Sequence, residues 1–207
     1  MNSIKKMFCL KYSSLNLFLL ILILLIPQHG ELYSQDNTYI ELTGGFAKSQ
    51  ENGMGTILTV SKKITGKLFL TASTGYFSFE NSESSSNPFR DSDLIVNVNR
   101  EKFIIPLEIG GIIEFGQNNF KPYIKFSVSY NYVEYFIHKD IFGGDQSIGY
   151  LRSEKEYKTN VLPGYGLGMG TSYLINQDIK IGINFTMQQV SNINRYIRLM
   201  AGISYII

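Results

Sequence analysis

The chain has 207 residues, with 19 Lys and Arg against 17 Asp and Glu, 14 Tyr, 14 Phe and no Trp. A formal charge of +2 excludes the basic footprint of a nucleic-acid-binding protein, and a single cysteine, Cys9, excludes an internal disulfide or a Cys-based metal site. Beyond residue 34 there is no run of eighteen apolar residues, so a membrane-spanning helix is excluded there as well.

Lys5, Lys6 and Lys11 precede the apolar run Leu17 to Ile26, which Pro27 ends. A basic start, a short apolar core and a polar stretch predict a secretory signal peptide over residues 1–34, cleaved between Ser34 and Gln35. The alternative, an uncleaved anchor, needs about 20 apolar residues, and this run has ten. Cys9 lies before the apolar core, not after it, so it is not a lipid-bearing cysteine. Removal of residues 1–34 leaves sixteen basic and sixteen acidic residues, a neutral chain of one domain over 35–207.

The remainder alternates with a period of two, the signature of strands. The first strand is predicted at 38–48, with Ile40, Leu42 and Phe46 on one face and Tyr39, Glu41 and Thr43 on the other. The second, at 54–63, sets Met54, Leu58 and Val60 against Gly55, Thr59 and Ser61. The third, at 67–80, sets Leu68, Leu70, Ala72 and Tyr76 against Thr71, Ser73 and Gly75. Phe69, Phe77 and Phe79 fall on that second, inward set and blur its facing. Residues 81–93, rich in Ser, Asn, Asp and Glu, read as a long exposed loop.

The fourth strand begins after Leu94 and runs to Phe115. Phe103, Ile105, Leu107, Ile109, Ile113 and Phe115 share one face; Glu108, Gly110 and Glu114 share the other with Ile104, Pro106 and Ile112. Gly116 to Asn119 turns the chain into the fifth, at 120–135. There Ile124, Phe126, Val128, Tyr130 and Tyr132 oppose Lys125, Ser127, Ser129 and Asn131. Residues 136–160 read as a second long loop. The sixth strand, at 161–175, has Gly164, Gly166, Gly168 and Gly170 on one face; the seventh, at 179–190, has Lys180, Asn184, Thr186 and Gln188; the eighth, at 195–207, has Arg198.

Strands that are apolar on one face and polar or charged on the other, with no apolar helix, predict an all-β, eight-stranded antiparallel up-and-down transmembrane β-barrel. Short connections after the second, fourth and sixth strands belong to the periplasmic side, with both termini, and the long loops to the outer side.

Ile105-Pro106-Leu107-Glu108-Ile109-Gly110, Phe120-Lys121-Pro122-Tyr123, the glycine-rich sixth strand and the terminal strand resemble the small eight-stranded outer-membrane barrels. That family includes the OmpA-type transmembrane domain, the OmpX-type barrels and the "outer membrane protein beta-barrel domain" proteins. The resemblance covers 38–207. It implies location in the cell outer membrane, contact with outer-membrane lipid and insertion by the barrel-assembly machinery. That machinery reads a terminal aromatic residue; here Tyr205 precedes a final Ile207. Family members act as structural anchors, adhesins, narrow pores, lipid-modifying enzymes or secretion accessories, so architecture does not choose among them.

The inward charges are the candidate functional residues: Glu41, Glu108 and Glu114 against Lys125, Lys180 and Arg198. Ions in a narrow barrel need partners, and an eight-stranded barrel is just wide enough for side chains to fill. The balanced signs predict a salt-bridge network that plugs the lumen; an ion path is the rival reading. The glycine row is not a phosphate loop, since Met169 breaks the pattern and no helix follows. His138, in the second predicted loop beside Lys139 and Asp140, lacks the His and Ser two apart on one strand face found in the lipid A deacylases of this fold. Phe115, Phe120, Tyr123, Tyr173 and Tyr205 at one end, and Tyr76, Phe103, Tyr132 and Tyr135 at the other, predict interfacial girdles.

The expectation is thus a monomeric, non-enzymatic outer-membrane protein without cofactor or metal. It has a plugged polar interior and acts as a structural, surface-binding or secretion-accessory protein through loops 81–93 and 136–160, with an unidentified extracellular or periplasmic partner. The alternatives are a narrow porin-like channel, a lipid-modifying barrel enzyme, and a soluble lipocalin-like binder, which requires the inverse facing.

Overall fold

A computed structural model describes residues 38–86, 94–116, 119–143, 150–191 and 195–207. The predicted signal segment, residues 87–93 and 144–149, and the turn residues 117–118 and 192–194 lie outside the described residues. Eight strands follow in order: β1 (Thr38–Lys48), β2 (Asn52–Thr65), β3 (Leu68–Ser86), β4 (Leu94–Glu114), β5 (Phe120–Gly143), β6 (Tyr150–Leu174), β7 (Ile179–Val190) and β8 (Tyr196–Ile206). Each pairs antiparallel with its sequence neighbours, and β1 pairs with β8 to close the barrel. Closure removes the free edges that a sheet in hydrocarbon cannot have.

The faces separate as the alternation predicts. Leu42, Phe46, Met54, Val128, Tyr130, Leu167, Met169, Ile183, Leu199 and Ile203 stand exposed on the outside. Glu108, Ser127, Ser129, Asn131, Lys180, Thr186, Gln188 and Arg198 are buried in the lumen. An apolar exterior around a polar interior is the arrangement for lipid, and it rules out the lipocalin-like inversion. On β3 the facing resolves cleanly: Phe69, Phe77 and Phe79 are buried in the lumen, while Leu70 and Tyr76 are exposed outside.

The two predicted long loops are a correction. Residues 81–86 continue β3, 136–143 continue β5, and 150–160 belong to β6. These stretches lack the apolar-out, polar-in alternation because neither of their faces meets lipid. Pairing carries them instead: Asn81 opposite Arg100, Ile137 opposite Glu156, and so on up both hairpins. β1, β2, β7 and β8 have 11 to 14 residues, close to the roughly 9–11 that cross a bilayer. β3 to β6 have 19 to 25. Half of the barrel therefore rises past the other half, on the end away from both termini, as a four-stranded wall.

The wall has two open edges. β2 pairs with β3 no further than Glu80, and β7 pairs with β6 from Gly164 downward. Ser191 N–H donates to the Pro163 carbonyl at 2.9 Å and closes the rim there. Above that point, among the described residues, β6 is paired on the β5 side alone.

Candidate functional site: the lumen and the projecting wall

The six sequence-predicted charges all point into the lumen, but they do not form one network. Arg198 and Glu108 form the central pair. Arg198 Nη1 donates to Glu108 Oε1 at 2.7 Å and Nη2 to Oε2 at 3.4 Å, with both side chains 1% exposed. This two-pronged geometry suits a guanidinium and not an ammonium. Nη2 also donates to Gln188 Oε1 at 3.3 Å, and Gln188 Nε2 donates to Ser129 Oγ at 2.8 Å. Asn131 Nδ2 reaches the same hydroxyl at 2.9 Å and the Leu162 carbonyl at 3.2 Å. Lys125 Nζ lies 3.7 Å from Glu108 Oε2.

A second group sits at the mouth beside the termini. Lys180 Nζ donates to Glu114 Oε1 at 3.2 Å, and Lys121 Nζ lies 3.9 Å from Glu114 Oε2. The Lys180 ammonium also rests over the Tyr39 ring at 3.9 Å, a favourable place for a cation on an aromatic face. Tyr39, Phe69, Ile112 and Tyr123 pack together around this mouth. Tyr123 is thus a lumen residue, which corrects its expected place in the girdle. Glu41 lies between the two groups and makes no ion pair among the described residues.

Sequence reasoning missed the upper half of the lumen. Phe77, Phe79, Ile104, Val133, Val190, Tyr196, Met200, Ile57 and Ala47 form one buried apolar cluster there, with Tyr135 packed against it. Tyr135 is the second aromatic moved from the girdle to the interior. The Arg198 guanidinium lies 5.6 Å from the Phe77 ring centroid and 5.8 Å from that of Tyr196, which joins the polar layer to this apolar one. Above it Lys102 Nζ pairs with Glu51 Oε2 at 3.0 Å and stands over the Phe79 ring at 4.6 Å. The signal was present, since Phe77, Phe79, Ile104, Val133 and Tyr196 all fall on the inward parity of their strands. Apolar residues at inward positions conflict with a wholly polar lumen, which is why alternation alone leaves the facing of β3 blurred.

The glycine row of β6 makes room inside. A Cβ at Gly166 would meet Gln188 Oε1 and Ser127 Oγ, and one at Gly170 would meet the Tyr123 ring. The large inward side chains of neighbouring strands occupy the space that β6 leaves.

His138 is on β5 in the wall, not in a loop. Its Nε2 lies 2.8 Å from Ser153 Oγ and 3.2 Å from Asp140 Oδ1. Acid and hydroxyl thus share one ring nitrogen. A catalytic relay needs them on opposite nitrogens, so that the acid orients the ring while the other nitrogen takes the proton. Among the described residues no group of three or more His, Cys, Asp or Glu could hold a metal ion.

On the outer face the wall leaves the apolar belt at a row of carboxylates. Tyr132 Oη donates to Glu134 Oε1 at 2.7 Å, and Tyr76 stacks with Phe103 at 5.8 Å just below. Higher up, on the face that continues the lumen side, β6 carries the pairs Arg152–Glu154 and Lys158–Glu156, all largely exposed.

No family model matches the chain, and no curated protein matches it. Among solved structures the chain is similar to a major outer membrane protein from Thermus thermophilus, at 10% identity over 84% of this chain and 100% of that one, with a TM-score of 0.57. It is also similar to Neisserial surface protein A, at 16% identity over 84% and 99%, TM-score 0.46. A third is Ail, the attachment invasion locus protein of Yersinia pestis, at 11% identity over 83% and 97%, TM-score 0.45. At such identities the likeness is one of fold. With the apolar exterior it defines the class: this chain is an eight-stranded antiparallel transmembrane β-barrel.

Proposed function

We propose that the chain is a non-enzymatic protein of the bacterial outer membrane, of surface or structural type, that uses its barrel as an anchor and its projecting wall as a binding surface. The observation that carries this reading is the wall itself. β3 to β6 run well past the length a bilayer needs, and they end in two strand edges whose backbone groups have, among the described residues, no neighbouring strand on one side. Open edges invite pairing and are managed in proteins by charge. The five charges between Arg152 and Lys158 make the β6 edge selective, not inert. On this reading residues 1–34 direct export and are removed, the barrel-assembly machinery inserts the chain as a monomer, the termini face the periplasm, and the wall faces outward.

Two tests address the reading. An epitope inserted after Gly143 should be bound by antibody on intact cells; binding only after permeabilisation would invert the orientation. Removal of 137–156, between paired positions of β5 and β6, should leave a barrel with a heat-dependent gel shift. The same removal should abolish adhesion of producing cells to immobilised extracellular proteins. Adhesion that survives the deletion would assign binding elsewhere.

The pore reading is weakened by the apolar cluster that fills the upper half of the lumen. The enzyme reading is weakened by the single ring nitrogen shared by Ser153 and Asp140.

A further inference from the structure

The lumen is not uniformly filled. A cavity of about 40 Å³ lies at the mouth beside the termini, lined by Glu41, Ser61, Glu114, Ser172, Lys180 and Ser204 among others. A smaller one of about 10 Å³ lies deeper, lined by Glu41, Thr59, Lys125, Thr186 and Arg198 among others. Glu41, Ile112 and Tyr123 border both. A buried water needs roughly 10–15 Å³ and two to four polar partners. Both spaces supply the partners, and the larger one has room for more than one water.

Two of the buried polar atoms that lack a hydrogen bond line the same spaces; the Tyr196 hydroxyl, in the apolar layer, is another. Ser172 Oγ, on a residue 8% exposed, and Arg198 Nε, on a residue 1% exposed, make no hydrogen bond among the described residues. The first borders the outer cavity and the second the inner one. Leaving such a group dry is unfavourable, and a water in the adjoining space would satisfy it. The Glu41 carboxylate stands between the cavities without an ion pair among the described residues, facing Lys180 on one side and Lys125 on the other. Farther from the termini the chemistry changes at one level: Phe77, Phe79, Ile104 and Val133 are each 0% exposed.

We propose that the lumen is a half-channel: hydrated from the termini-side mouth past Glu41 to Arg198, and sealed by the apolar layer of Phe77, Phe79 and Tyr196. Water bridges Glu41 to Lys125 across the inner cavity and so joins the two ion-pair groups. The barrier to passage is the dry layer, not the Arg198–Glu108 pair. This inference is independent of what the wall binds.

Silver-ion accessibility tests it, because Ag⁺ is small, soluble and captured by thiols. In a Cys9→Ser background, Ser172→Cys, Thr186→Cys and Ile104→Cys are placed singly in the folded full-length barrel. Each is exposed to Ag⁺ in chloride-free buffer, then unfolded and labelled with a fluorescent maleimide. Ser172→Cys and Thr186→Cys should lose labelling, while Ile104→Cys should keep it. Retention at Thr186→Cys equal to that at Ile104→Cys would overturn the hydrated half, and equal loss at all three would overturn the seal. Conductance gives a second readout that does not depend on thiols. The unaltered barrel should be silent to K⁺ in planar bilayers, and Phe77→Ala/Tyr196→Ala, verified as folded by its heat-dependent gel shift, should conduct. A conducting parent, or a silent folded double variant, would place the barrier elsewhere.

Discussion

Arg198 and Glu108 are ninety positions apart in the chain and meet in the middle of the barrel through two hydrogen bonds, at 2.7 and 3.4 Å. The strands that carry them, β8 and β4, lie on opposite walls and share no ladder, so this pair ties the barrel across its width. Arg198→Met leaves a buried carboxylate with Lys125 at 3.7 Å as its nearest cation. The expected cost is about 3–5 kcal/mol, as for other broken buried pairs. Arg198→Met/Glu108→Leu should recover most of that loss, because both charges are then gone. Urea titration of the heat-dependent gel shift measures all three.

Glu41→Gln should be mild, within about 1 kcal/mol on the same titration, since no ion pair is lost and the amide keeps hydrogen-bonding capacity. A large loss would show that Glu41 carries an ionic bond to Lys125 or Lys180 that the distances do not contain.

Gly170→Val places a branched side chain against the Tyr123 ring and the Ile183 carbonyl. Overpacking of this kind typically costs about 1–3 kcal/mol. Gly170→Val/Tyr123→Ala should be more stable than Gly170→Val alone. The comparison separates a steric clash from a general intolerance of side chains on β6.

In the wall, the Lys158 ammonium hydrogen-bonds Glu156 and holds its carboxyl below the ordinary glutamate range. A depressed pKa contributes stability above the unfolded value and loses it as pH falls through the folded one. Glu156 is fully exposed, so the effect on folding is negligible, and the titration itself is the observable. Carbon-13 NMR of the side chain should show a midpoint below that of a free glutamate, moving up in Lys158→Ala.

His138→Ala and Ser153→Ala should leave the lipid mass spectrum of producing cells unchanged. A lipid species that appears with the parent chain and disappears in both variants would restore the enzyme reading.

The barrel was legible wherever lipid meets one face of a strand. Leu42, Val128 and Ile183 are apolar because hydrocarbon touches them, and Lys180 and Arg198 are polar because the lumen does. The lumen charges were legible for the same reason, by parity alone. What parity could not reveal is distance: it placed Glu41 with the others, but pairing depends on how far each side chain reaches across the barrel. The wall was illegible because polar residues such as Ser82, Asn97 and Ser153 are at least partly exposed there, and its strands show no sustained contrast between an apolar and a polar face. Without contrast between faces there is no period to detect, and cross-strand partners far away in sequence decide the conformation. The apolar plug was hidden by a different ambiguity. An inward Phe77 looks like a slip of register until the opposing Tyr196 is known to be there.

The wall continues the barrel strands without a hinge. β5 and β6 pass from the turn beside the termini to their far tips as unbroken ladders, apart from one irregularity near Ile141. On the proposed reading, a partner gripped by the wall would be held at a fixed height and angle to the membrane, like a load on a cantilever. A pull at the tip runs along covalent backbone and cross-strand bonds into the part embedded in lipid. The bilayer, and not a flexible tether, would bear the force.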